Sequence, residues 1–165
     1  MTIKCIFVMG VSGCGKTTVG KCLATKFEAH FEDADDYHSE TNRAKMSRGI
    51  ALNDEDRYPW LQKVANLAKY STQKIVIACS ALKRNYRQIL SAPLDGSYVF
   101  IYLNVERDEL ERRVRLRQGH FVDCHLLDSQ LETLEPPYNE HNCITIDANG
   151  SVEQVVNEII SALGK

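Results

Sequence analysis

Gly10-Val11-Ser12-Gly13-Cys14-Gly15-Lys16-Thr17-Thr18 fits the spacing G-x-x-x-x-G-K-[ST], and its flanks narrow what this chain can fold into. Before it, Ile3 to Met9 is a near-continuous apolar run, the pattern of a strand buried on both faces of a parallel sheet. After it, Val19, Cys22, Leu23 and Phe27 recur at helical spacing, predicting a helix from near Gly15 to about Glu28. Strand, glycine loop and helix in that order turn backbone N–H groups inward around a phosphate, to which the helix adds its N-terminal dipole.

Each residue from Gly10 to Thr18 is therefore a candidate nucleotide contact. Lys16 is expected to span the β- and γ-phosphates as a catalytic cation, and the Thr17 hydroxyl to ligate Mg²⁺. Mg-ATP is the implied cofactor.

Further buried strands are predicted at Lys74 to Cys79, Tyr98 to Leu103 and Cys143 to Ile146, with a short one at His30 to Asp33. Helical segments separate them. In the last, Val152, Val155, Val156, Ile159, Ile160 and Leu163 form an apolar stripe, opened by a Ser151/Gln154 capping box. Alternating strands and helices imply a three-layer α/β/α fold around a parallel five-stranded sheet. At 165 residues, with no repeat or Gly/Pro-rich linker, the chain reads as a single domain, 1–165. Residues 34–60 are polar and read as a helical excursion.

Twenty Lys plus Arg against 22 Asp plus Glu give a formal charge of −2, which leaves no footprint for nucleic acid or anionic lipid and favours a small-molecule partner. Neither a signal-peptide pattern nor an 18-residue apolar stretch occurs, so no membrane association and a cytoplasmic location are expected. The six scattered cysteines form no CxxC pair and read as reduced thiols.

Strand 74–79 leads into Ser80 where GTPases and motor ATPases carry an Asp, and no N-K-x-D guanine signature occurs, so the magnesium helper must lie elsewhere. Asp33 and Asp35 are the candidates, spaced to share one face of an extended segment. One carboxylate can hold a magnesium-bound water while the other takes the proton of an attacking hydroxyl. The alternative is a solvated acidic loop. Arg112, Arg113, Arg115 and Arg117 precede Gly119 and read either as a lid over the phosphates, at about 117–125, or as plain surface cations. Arg113 and Arg117 are the two assigned to ATP.

Asp33-Ala34-Asp35-Asp36-Tyr37-His38, Asn42, Lys45-Met46, Gly49 and the block Leu52-Asn53-Asp54-Glu55-Asp56-Arg57-Tyr58-Pro59-Trp60-Leu61 resemble the thermoresistant-type gluconokinase family. Ala78 to Arg84, Tyr86-Arg87, Arg117 to Phe121, Leu126-Leu127, Ser129-Gln130 and Leu134-Glu135-Pro136 extend the likeness over nearly the whole chain. The resemblance implies a fold similar to shikimate and nucleoside monophosphate kinases. It also implies transfer of the ATP γ-phosphate to the 6-hydroxyl of D-gluconate, giving 6-phosphogluconate, by an enzyme that in this family is often a homodimer.

By that likeness Asp35 is the base at the sugar hydroxyl, Asp33 lies in the magnesium shell through water, and His38, Arg57, Lys83, Arg84 and His120 surround the sugar acid. Trp60 and Pro59 read as packing and helix-start residues. The family's usual Pro after the His of the acidic block is Ser39 here, which is expected to relax the start of the next helix. Two rivals are a kinase for another polyol acid such as shikimate, and a non-catalytic ATP-binding regulator. Shikimate kinases carry a G-G-G turn where this chain has Cys79-Ser80-Ala81-Leu82.

Overall fold

The computed structural model describes residues 2–116 and 121–164, the side chains of 121–125 excepted. Five strands, β1 (Cys5–Met9), β2 (His30–Asp33), β3 (Ile75–Ala78), β4 (Tyr98–Asn104) and β5 (Cys143–Asp147), form one parallel sheet in the order β2-β3-β1-β4-β5. Each strand expected from the sequence is present, with ends shifted by a residue or two. Helices α1 (Lys16–Lys26), α2 (Glu40–Ser47), α3 (Asp54–Tyr70), α4 (Arg84–Ser91), α5 (Arg107–Leu116), α6 (Phe121–Thr133) and α7 (Val152–Ala162) connect them.

The double-sided burial comes from strand alternation. Along β1, Ile6 and Val8 face a core built with Val19 and Leu23 of α1 and Val155, Val156 and Ile159 of α7. Cys5, Phe7 and Met9 face the opposite core, with Trp60, Leu61 and Val64 of α3 and Tyr86 and Leu90 of α4. Phe7 is in register with Phe100 of β4, and their rings stack at 4.5 Å. All five residues of β1 are buried, which explains the unbroken apolar run.

The α7 stripe is narrower than the sequence suggests. Val152, in the first turn, is 38% exposed, whereas Val155, Val156 and Ile159 are buried; the Ser151/Gln154 capping box is present. Ser39 does not loosen α2. It is the N-cap, its hydroxyl accepting from the Asn42 N–H at 3.1 Å, a job that proline cannot do. Pro59 is not a helix-start residue either: α3 starts at Asp54 on an Asn53/Asp56 capping box, and Pro59 stands inside the helix.

The sheet order fixes where a ligand goes. After β1 the chain builds β2 and β3 on one side, then crosses to place β4 and β5 on the other. The carboxyl end of β1 is thus a switch point, where adjacent connections diverge and leave a crevice. The glycine loop starts there. Among the described residues no helix is long and apolar enough to cross a membrane.

Candidate active site

The loop after β1 takes a shape that few side chains tolerate. Gly10 has φ +145, and a Cβ on it would sit 2.7 Å from the Cys14 sulfur. Gly15 is the N-cap of α1 with φ +98, so the loop enters the helix through the left-handed region. Lys16 is the first residue of α1, and its ammonium donates to the Val11 carbonyl at 3.2 Å, folded across its own loop.

Asp33, the last residue of β2, uses both carboxylate oxygens. Oδ2 accepts from the Thr17 hydroxyl at 3.0 Å, and Oδ1 accepts from the Asp35 N–H at 3.0 Å. The second bond caps a short 3-10 turn, Ala34–Tyr37, so Asp35 has left the strand. The expectation that both aspartates share one face of an extended segment is corrected by that turn. Asp33 stays beside Thr17, and Asp35 opens onto a separate cavity.

This cavity has a volume of about 370 Å³, and its wall includes Asp35, His38, Arg57, Trp60, Ser80 and Gln130. The indole N–H of Trp60 donates to the Ala34 carbonyl at 2.7 Å, holding the turn that carries Asp35. On its other side Trp60 stacks with the His38 ring at 4.1 Å. The protein packed around Asp35 raises its carboxyl above the ordinary aspartate range; Lys16 opposes that shift, and Asp33 and Asp36 add to it. Burial, with Arg43 and Arg57 nearby, lowers His38 to about 4, so it is a neutral imidazole.

Arg57 leads out of the cavity into a polar relay. Its Nη1 donates to the Tyr86 hydroxyl at 2.9 Å, and Tyr86 donates to Asp54 Oδ1 at 2.5 Å. Lys83 Nζ reaches the same Asp54 oxygen at 3.2 Å. The Tyr86 hydroxyl and Lys83 hold the Asp54 carboxyl below its usual range. Lys83 therefore stands at the far end of the relay from Arg57.

Arg84 points elsewhere, lining a groove with Arg87, Gln88 and Glu140, because consecutive positions at a helix start diverge by about 100°. Its expected place around the sugar acid is not where its side chain lies. Arg117 and His120, with most of the expected lid, lie outside the described residues.

Arg113, assigned to ATP, lies beside the glycine loop with its guanidinium already engaged. Its guanidinium donates to the carbonyls of Gly13 (3.3 Å) and Cys14 (3.4 Å), and to those of Ala148 (2.9 Å) and Asn149 (3.3 Å), while Nε pairs with Glu109 at 2.8 Å. Those oxygens occupy the donors that a phosphate would need, so Arg113 ties the glycine loop to the β5–α7 connection. Between these two loops lies an open groove lined by Gly13, Thr18, Arg112, Arg113, Asn149 and Gly150.

Trp60, Ser80 and Gln130 went unassigned in the sequence. Trp60 reads as an ordinary core aromatic there, and only its contact with the Ala34 carbonyl shows what it positions. Gln130 sits in α6, and its Oε1 accepts from the Ser12 N–H at 2.6 Å.

Set beside known proteins, residues 12–164 match the shikimate kinase family. A probable gluconokinase of Xenopus tropicalis is 44% identical, over 93% of this chain and 90% of that protein. The thermoresistant gluconokinase of Escherichia coli K12 is 40% identical, over 96% of this chain and 92% of that one. A crystal structure of a gluconokinase from Sinorhizobium meliloti 1021 superposes with a TM-score of 0.89 at 37% identity, covering 99% of this chain and 93% of the other. With the glycine loop, the sheet order and these likenesses in agreement, the chain belongs to the gluconokinase family, on the shikimate kinase fold.

Proposed function

We propose that this protein is a gluconokinase, transferring the γ-phosphate of ATP to the 6-hydroxyl of D-gluconate and releasing ADP and 6-phospho-D-gluconate. The observation that carries the reading is the junction of a phosphate loop with a cavity whose wall includes both the Asp35 carboxylate and the Arg57 guanidinium. A polyol acid needs acceptors and donors along its hydroxyls and a cation for its carboxylate, and this wall offers both.

The glycine loop would cradle the β-phosphate on its N–H groups, with the adenosine in the groove bounded by Asn149 and Gly150. Lys16 exchanges the Val11 carbonyl for phosphate oxygens and neutralises charge that builds on them. Among the described residues no three His, Cys, Asp or Glu side chains cluster to hold a metal unaided. Thr17 and Asp33 nevertheless supply a hydroxyl and a carboxylate side by side, a hard-oxygen pair that suits Mg²⁺ completed by phosphate and water. Thr17 directly, and Asp33 through water, would hold that ion, which supplies charge neutralisation when bound. Asp35 accepts the proton of the 6-hydroxyl as the new O–P bond forms and the bond to ADP breaks.

The test is ADP release from Mg-ATP by the purified protein over a panel of D-gluconate, shikimate, glucose and nucleoside monophosphates. Gluconate-selective turnover is expected, with Asp35→Asn lowering kcat by about 10²- to 10⁴-fold, the range of a general base. The acidic limb of the kcat/KM profile should lie above an ordinary aspartate pKa, following the direction of the Asp35 shift. Turnover with shikimate alone, or none on the panel, would overturn the assignment.

A further inference from the structure

A backbone N–H can only donate, so the bond from Ser12 fixes which way round the Gln130 carboxamide stands: Oε1 faces the phosphate loop and Nε2 faces away from it. Nε2 has no hydrogen-bond partner among the described residues, and Gln130 lines the same cavity as Asp35 and Arg57. Among the described residues it is the side chain of that wall that hydrogen-bonds the phosphate loop. It therefore stands where the loop meets the acceptor cavity.

Its position is set from both directions. Leu127 of α6 is buried in the core shared with α5, and Asp128 pairs with Arg107 at the start of α5. Just beyond the helix, the Leu134 N–H donates to the Gln130 carbonyl at 2.8 Å and the Glu135 N–H to the Leu82 carbonyl at 2.8 Å. A carboxamide held in this way is a preorganised donor, which costs no reorientation when charge develops in front of it.

We propose that Gln130 is a further residue of the phosphoryl-transfer site, its Nε2 donating to oxygens of the phosphoryl group as it passes from ADP to the acceptor. The proposal rests on the kinase reading above. Gln130 itself gains and loses no proton: the acceptor O–P bond forms, the P–O bond to ADP breaks, and the hydroxyl proton goes to Asp35.

Two substitutions separate this role from anchoring of the loop. Gln130→Glu keeps an acceptor for the Ser12 N–H but removes the donors, and Gln130→Met removes both at similar volume. In each, kcat should fall about 10²-fold, the cost of removing one such donor; KM for ATP and the melting temperature should stay close to those of the parent in Gln130→Glu, and KM for ATP should rise only in Gln130→Met, where the Ser12 N–H loses its acceptor. Calorimetric binding of ADP with and without aluminium fluoride, which mimics the planar phosphoryl group, should show affinity lost for the fluoride complex and kept for ADP alone. A parent-like kcat in Gln130→Glu, or equal loss of affinity for both complexes, would mean that the side chain only holds the loop. If the parent fails to phosphorylate gluconate, the acceptor assignment falls, and the two binding constants still decide on Gln130.

Discussion

His38 shows how one contact sets the state of a residue. Its ring lies against the Trp60 indole, its Nδ1 is 3.3 Å from the Asn42 amide, and two arginines approach from α2 and α3. Burial first, and then the charges of those two arginines, favour the neutral form, with a folded pKa of about 4 against an ordinary 6.5. Between those values the unfolded chain binds a proton that the folded chain does not, so stability rises with pH across that window. His38 should thus cost the fold up to about 3 kcal/mol as pH falls from near 6.5 to near 4, with no such loss above. Denaturant midpoints across that range should show the slope, and His38→Gln should flatten it. The block around His38 named it as a site residue, but its protonation state was not legible, because its burial beside Arg43 and Arg57 arises only when α2 and α3 fold back onto the turn.

The start of helix α4 sends three cationic side chains into three different surroundings. Lys83, Arg84 and Arg87 are near neighbours in sequence, and residue type alone cannot divide them. In the fold, Lys83 joins the Asp54 relay, Arg84 faces an outer groove, and Arg87 is buried. Arg87 pairs with Glu140 at 2.5 Å and donates to the carbonyls of Ala81 and Glu135, so one side chain fastens α4 to the loops on either side of it. Removing one partner of a buried pair strands the other charge and its carbonyls. Arg87→Met should therefore destabilise the protein by about 3–5 kcal/mol, read from urea unfolding, and a value under about 1 would show that the loops rearrange freely. The five strands and the first and last helices were legible from apolar periodicity and one capping box. The direction of each polar side chain around its helix was not, because it depends on partners distant in sequence.

Over the whole molecule, the phosphate loop was the most legible part, since its glycines, lysine and threonine are contiguous and their geometry is local. The acceptor side was legible only as a set of names. Its cavity is assembled from the turn after β2, helices α3 and α6, and the loop after β3, which meet at the switch point of the sheet. Trp60 stands where these parts converge, and it is the only tryptophan in the chain. The protein thus carries an intrinsic optical probe in the wall of that cavity. Gluconate binding should shift or quench the emission of that indole, while ADP, bound at the glycine loop, should change it less. If the two titrations gave equal signals, the acceptor would lie away from Trp60, and an emission change with gluconate alone would report acceptor binding without any turnover.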